Sequence, residues 1–193
     1  YFNRNNDSGF VKIYYDVVDP AGNVHVQDAN DIQYLTFRDL AAGADFGSSL
    51  AAGNLNRDIH GVPQANDPTR KDYYSCDDLI VGAPFGDPAA RSLAGRSYVV
   101  FGKTDSTAIE LSEIASGTGG FVIEGQSASD FSGYSVSSAG DVDRDGLADL
   151  IVSSFGADPN GSHSGASTVV FGKADGTAVE LSAIGSSSNS SGF

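Results

Sequence analysis

Four aspartates in one short segment carry the strongest chemical signal of the sequence. Residues 141–149 read DVDRDGLAD, which places Asp141, Asp143, Asp145 and Asp149 at alternate or closely spaced positions. Carboxylates arranged in this way in a tight loop converge on one point, and their mutual repulsion is strong unless a cation lies between them. The spacing therefore predicts a loop that binds a divalent metal ion.

Calcium is the ion that the loop suits best. It accepts about six to eight oxygen ligands at irregular geometry, including backbone carbonyls such as the one expected from Leu147, whereas magnesium needs a stricter octahedron. The segment begins like an EF-hand, with Gly146 at position 6, but Val152 occupies position 12, where an EF-hand needs glutamate. We therefore expect the site to close at Asp149 and to lead into a strand. A turn rich in Asp and Gly that binds no metal is the alternative.

The loop belongs to a repeated unit. Four pairs of segments match each other along the chain: 98–103 with 168–173, 105–114 with 175–184, 45–58 with 130–145, and 78–84 with 149–155. Sequence repeats of this length usually correspond to repeated structural units that pack against their neighbours.

Each unit has the pattern of short strands, with β-branched and aromatic runs between turn residues and no long helical period. In the second copy we expect strands at roughly 133–140, 149–154, 166–172 and 177–182. About four strands in a repeat of roughly 70 residues is typical of a β-propeller blade. The predicted fold is all-β, with blades of four antiparallel strands in a partial propeller of about two to three blade-sized repeats. A β-sandwich with two similar halves is the alternative.

The repeats divide the chain into three segments. Residues 1–44 are expected to form the outer strands at the end of a preceding repeat, and residues 45–129 a repeat with an inserted loop at 59–77. Residues 130–193 are expected to form a repeat with an intact metal loop that stops before its last strand. Because the sequence contains no Met, even at position 1, we expect an internal segment of a longer protein or a processed product.

These features together resemble the FG-GAP repeats of integrin α subunits and of bacterial-type surface proteins. The shared order is Phe-Gly, then a Gly-Asp calcium loop, then Asp-Leu-Ile-Val-Gly-Ala-Pro. Four matches carry the resemblance: Phe46-Gly47, Gly82-Ala83-Pro84, Gly140 and the 141–149 loop. The resemblance covers residues 45–193, and it implies a β-propeller in which the calcium loop is a hairpin between the first and second strands of a blade.

The first copy has a weaker version of the loop. Its ligand positions are Asn54, Asn56 and Asp58, and the next acid, Asp78, follows the insertion. Two neutral amides in place of carboxylates weaken the field on a cation, and the loop has to fold back to deliver Asp78. Calcium binding in the first copy is a second prediction, and a metal-free loop is equally open there.

Charge and composition exclude some classes of partner. The chain has 11 basic and 25 acidic residues, a net charge of −14, and its basic residues do not cluster, so nucleic acid is a poor partner. No apolar run approaches the roughly 18 residues needed to cross a bilayer, so no membrane insertion is expected. Three sequons, at Asn6, Asn160 and Asn189, would carry glycans only in a glycosylating host.

Three functions fit these observations. The favoured one is a calcium-stabilised extracellular or cell-surface binding module that presents loops to a protein or glycan ligand, because weak extracellular calcium sites would be empty in the cytosol. The second is part of a secreted polysaccharide-acting enzyme, for which the insertion supplies His60, Lys71, Tyr73 and Tyr74, although no known catalytic motif supports it. The third is an assembly unit that closes by strand exchange, with self-association through unpaired edge strands. We expect no catalytic residues.

Overall fold

The structure is a computed structural model that describes the backbone in the following ranges: 16–18, 24–26, 37–38, 43–57, 60–64, 67–74, 77–103, 109–184 and 192. Side chains are described in 43–57, 77–103, 109–184 and 192. Within these ranges the protein is mostly β, with mainly antiparallel sheets, as the sequence predicted.

The secondary structure consists of short strands with very little helix. The strands are β1 (Asp16–Val18), β2 (Val24–Val26), β3 (Phe37–Arg38), β4 (Ser49–Gly53), β5 (His60–Gln64), β6 (Asp67–Tyr74), β7 (Asp78–Ala83), β8 (Arg96–Val100), β9 (Ile109–Glu110), β10 (Gly120–Glu124), β11 (Ser132–Gly140), β12 (Asp149–Ser154), β13 (Ala166–Val170) and β14 (Val179–Glu180). The helical elements are α1 (Leu111–Ala115) and two single 3₁₀ turns, Pro88–Ala90 and Leu181–Ala183. The strand β1 pairs antiparallel with β2, but most of the chain before residue 43 lies outside the described residues.

The first repeat forms a four-stranded antiparallel sheet in the order β10-β8-β7-β4. Each strand lies beside its neighbour in the repeat, with Gly53 opposite Asp78 where β4 pairs with β7. The insertion forms a separate antiparallel hairpin, β5 with β6, between β4 and β7. Among the described strands the hairpin pairs only with itself, so it leaves the register of β4 and β7 intact. This sheet has the antiparallel four-strand pattern predicted for a blade.

The second repeat forms a three-stranded antiparallel sheet in the order β11-β12-β13. The strands predicted at 133–140, 149–154 and 166–172 are present, with small differences at their ends. Beyond β13, Val170 forms a single antiparallel bridge with Gly192. The corresponding pair in the first repeat is Val100 with Gly120, at the start of β10.

The strand predicted at 177–182 is shorter in the structure and joins a different sheet. Only β14 is extended, and it pairs in parallel with β10, so that Ile123 lies opposite Val179 in the sheet of the first repeat. The strand β9 pairs with β3 in the same parallel manner. Val179 and Leu181 are buried in the core between the repeats, so this segment gains more from packing on the neighbouring sheet than from extending its own.

The sheet of the first repeat is buried on both faces, because all six residues of β7 are buried. Successive residues of a strand point to opposite faces. Leu79 and Val81 pack in one apolar cluster with Ile114 of α1, whereas Ile80 packs in a second cluster with Leu150 of the second repeat. The second cluster is the core that joins the two repeats.

An ion-pair cluster also joins the repeats, at the end of β10. Glu124 contacts Arg96 (Nη2 to Oε1, 2.7 Å) and Arg91 (Nη2 to Oε2, 3.3 Å), and Arg91 also contacts Glu180 of the second repeat at 2.8 Å. The pKa of Glu124 is raised by burial and by the nearby Glu180 carboxyl, against the lowering effect of Arg96. Arg91 therefore bridges the carboxyl groups of the two repeats, and Arg96 forms a second ion pair with Glu124.

Two isoleucines at equivalent positions test the packing between the repeats. Ile80 is fully buried, whereas Ile151, its counterpart in β12, is 37% exposed. We expect Ile80→Ala to lower the free energy of unfolding by about 2–5 kcal/mol. Ile151→Ala should cost less than about 1 kcal/mol, because it opens no closed cavity. Urea denaturation measures both, and equal losses would contradict the described packing.

The pKa of Glu124 gives a prediction for pH dependence. Because its folded-state pKa is raised above the ordinary value of 4.5, its contribution to stability is present at low pH and is lost as the pH rises through the folded value. The stability of the wild type relative to Glu124→Gln should therefore fall as the pH increases from about 4.5. Urea denaturation at several pH values measures this difference, and a difference that rises with pH would contradict the prediction.

Candidate metal centre

The acidic loop is the hairpin connection between β11 and β12. The strand β11 ends at Gly140, which pairs with Asp149 at the start of β12. The backbone of Gly140 (φ +72°) and of Gly146 (φ +90°) is in the left-handed region, which glycine adopts without the steric cost that a side chain brings. The two glycines thus let the chain turn tightly between the strands, at the place that the sequence predicted.

Aspartate side chains of the loop accept hydrogen bonds from backbone N–H groups of the same loop. Oδ1 of Asp143 accepts a hydrogen bond from Asp145 N (3.1 Å), and Oδ1 of Asp145 accepts one from Leu147 N (2.8 Å). Oδ2 of Asp141 accepts a hydrogen bond from Gly146 N at 3.0 Å. Each carboxylate has two oxygens and about four lone-pair positions, so these bonds leave capacity for a cation.

Three of the predicted ligands converge. Asp141, Asp143 and Asp149 each bring one carboxylate oxygen to within 4.8 Å of the others, with Asp149 buried and the other two exposed. Oxygens around one calcium ion lie at about 2.3–2.6 Å from it, so they are at most about 5 Å apart. The three hard oxygen donors therefore fit one such ion. Asp145 lies outside this group, and a role for it or for the Leu147 carbonyl stays a prediction.

The charges of the loop repel one another. The pKa of Asp143 is raised by desolvation and by the carboxylates of Asp145, Asp149 and Asp141, against the lowering effect of the Asp145 N–H. A raised pKa means that the charged form is disfavoured by its surroundings. A divalent cation among these groups would reverse that effect.

Asp149 also anchors the backbone. It is fully buried, and its Oδ2 accepts a hydrogen bond from Val142 N (2.6 Å) while its Oδ1 accepts one from Gly172 N (2.9 Å). One carboxylate therefore ties the start of β12 to the metal loop and to the segment that follows β13. Burial of a neutral polar group without a hydrogen-bond partner costs about 2–7 kcal/mol. Burial of a carboxylate without donors would cost more.

Asp78 has the same role in the first repeat. It is fully buried, and its carboxylate accepts hydrogen bonds from Leu55 N (2.7 Å), Asn56 N (3.1 Å) and Gly102 N (2.8 Å). Gly102 lies at the position that corresponds to Gly172 in the repeat. The loop does fold back across the insertion, because β4 and β7 pair directly and bring Asp78 to the base of the loop.

The rest of the predicted first-repeat site is only partly described. Oδ1 of Asn54 accepts a hydrogen bond from Arg57 N at 2.7 Å, and Asn56 bonds to Asp78 through its backbone. Asp58 lies outside the described residues. Calcium binding by this loop stays a prediction.

The residues considered for catalysis lie on the inserted hairpin. In the register of β5 and β6, His60 is opposite Tyr74, Gly61 is opposite Tyr73, and Lys71 is opposite Pro63. The side chains of the hairpin lie outside the described residues, so their chemistry is not tested. Among the sequons, Asn160 is exposed, and Asn6 and Asn189 lie outside the described part of the chain.

Comparison with known proteins identifies the segment that carries the site. Residues 132–170 match the family described as FG-GAP repeat. The match runs from the start of β11 to the end of β13, so it contains the whole three-stranded sheet and the metal loop. A comparison with curated proteins gave no match. In the part of the chain that the structure describes, no helix is long and apolar enough to span a membrane. Residues 132–170 are thus an FG-GAP repeat of the integrin α-like family.

Two aspartates of the loop should behave differently when no metal is present. In a chelator, Asp149→Ala should lower the free energy of unfolding by about 2 kcal/mol or more, because it removes the acceptor of two backbone N–H groups. Asp143→Ala should cause no such loss, because its hydrogen bond is exposed and its removal relieves repulsion.

Chemical denaturation in EDTA compares the two variants. Asp78→Ala serves as the control, since it removes the equivalent anchor from the first repeat, and it should behave like Asp149→Ala. Full stability of Asp149→Ala in EDTA would show that the anchor has no structural role.

Proposed function

We propose that the chain is a calcium-stabilised extracellular module for binding or adhesion, which presents propeller loops to a protein or glycan ligand at a cell surface. The observation that carries this proposal is the convergence of Asp141, Asp143 and Asp149 inside a segment that matches the FG-GAP repeat. FG-GAP repeats often bind calcium and are typically extracellular, which supports both parts of the proposal.

Calcium would stabilise the fold at a defined place. Asp141 and Asp143 are exposed residues of the loop, whereas Asp149 is buried and bonded to Gly172. An ion bound to all three would therefore connect the exposed carboxylates of the loop to the buried start of β12. At a tenfold excess over its dissociation constant, the ion would add about 1.4 kcal/mol to the free energy of unfolding. That is a useful fraction of the roughly 5–15 kcal/mol of a typical domain.

Exposed aromatic side chains support a recognition role for the opposite end of the sheets. Phe131 stacks on Phe155 with ring centroids 4.8 Å apart, Phe85 packs edge-on against Phe131, and Tyr134 packs edge-on against Phe155. Phe85, Tyr134 and Phe155 are 37%, 55% and 46% exposed, respectively. Aromatic residues are enriched where proteins bind partners. Phe131 and Tyr134 lie at the start of β11, and Phe85 and Phe155 follow β7 and β12. In the register of β11 and β12 this end is opposite the 141–149 loop, so calcium would serve stability while this end meets the ligand.

Calcium binding is the direct test of the proposal. Isothermal titration calorimetry of the wild type with calcium should show binding, and calcium should raise the midpoint of thermal unfolding more than magnesium does. Asp143→Asn should weaken or abolish both effects, because it removes one converging charge. Glu113→Gln, which makes the same change of charge on α1, should bind calcium like the wild type. Absence of binding and of a thermal shift in the wild type would refute the proposal.

A further inference from the structure

The metal loop of the second repeat contacts the corresponding loop of the first. Ala148 N donates a hydrogen bond to Asn54 O at 2.9 Å, which joins the two loops through their backbones. Beside this bond, the side chain of Arg57 lies against Gly146: a Cβ atom added to Gly146 would be 3.1 Å from Nη1 and 3.2 Å from Cζ of Arg57. A cationic group of one repeat is thus in contact with the acidic loop of the other.

The local structure of the first loop directs Arg57 to this place. Its backbone N donates to Oδ1 of Asn54, and its φ of +56° puts the residue in the left-handed region, where few residues other than glycine lie. The lack of a side chain at Gly146 leaves the space that the guanidinium group occupies. A guanidinium group keeps its positive charge near neutral pH.

We propose that Arg57 is a built-in counter-cation that lowers the calcium affinity of the 141–149 loop. This inference rests on the calcium binding proposed above. Without calcium, the positive charge of Arg57 partly offsets the repulsion among the carboxylates and so stabilises the ion-free loop. With calcium bound, the same charge repels the ion. Both effects weaken binding, so the affinity of the site depends on a residue of the neighbouring repeat.

The expected size of the effect follows from the exposure of the groups. Arg57, Asp141 and Asp143 are exposed, so water and salt screen the interaction. Interactions between exposed charges typically change an equilibrium by a few-fold. Removal of the charge at Arg57 should therefore tighten calcium binding by about two- to fivefold, and the gain should shrink at high ionic strength.

Three variants of the full chain separate this role from a general effect of charge. Arg57→Gln removes the charge, Arg57→Lys keeps it, and Arg91→Gln removes the same charge beside Glu124, at the end of the sheet away from the 141–149 loop. Calcium titrations at low and high salt give the affinities, and thermal unfolding in EDTA gives the stability of the ion-free state. We expect Arg57→Gln to bind calcium more tightly and to unfold at a lower temperature in EDTA. Arg57→Lys should stay close to the wild type, and Arg91→Gln should change the calcium affinity less than Arg57→Gln.

The outcomes distinguish this inference from the proposed function. If the wild type binds calcium and Arg57→Gln binds it equally or more weakly, the counter-cation role is wrong and calcium binding stands. If Arg91→Gln tightens binding as much as Arg57→Gln, only the net charge matters and the inference is overturned. If neither the wild type nor any variant binds calcium, the proposed function fails, and the inference fails with it.

Discussion

A buried aspartate at the start of the second strand is the constraint on which each repeat depends. Asp78 and Asp149 are fully buried, and each accepts backbone hydrogen bonds from the loop before it and from a glycine that follows the third strand. One carboxylate therefore fixes three segments that are distant in sequence. In the second repeat, the carboxylate of Asp149 both accepts these hydrogen bonds and belongs to the candidate metal site. The fold and the candidate site therefore depend on the same carboxylate.

The two repeats are joined by apolar packing, by backbone pairing and by charge. Ile80 of the first sheet and Leu150 of the second share one core, and the parallel pairing of β14 with β10 extends the first sheet with residues of the second repeat. The arginine bridge from Glu124 to Glu180 closes the same junction. Each repeat therefore buries apolar surface against its neighbour, as stacked repeats do in general.

The junction also places the two loops side by side, with chemical consequences. The first loop has amides where the second has carboxylates, and it contributes Arg57 to the surroundings of Gly146. Repeats that are alike in backbone have therefore diverged in charge. A site described by its own loop alone would omit the guanidinium group of Arg57, which lies against Gly146.

The sequence alone determined the repeats, the antiparallel sheets and the position of the metal loop, because strand alternation, turn glycines and aspartate spacing are local signals. It also placed Asp78, across the insertion, in a second candidate metal site with Asn54, Asn56 and Asp58, which stays a prediction. Only the tertiary structure decided that Asp141, Asp143 and Asp149 converge without Asp145, and that β14 joins the preceding sheet. The anchoring bonds of Asp149 and the contact of Arg57 with Gly146 were equally beyond the sequence. Each depends on how segments far apart in the chain pack, and no local pattern of residues records such a contact.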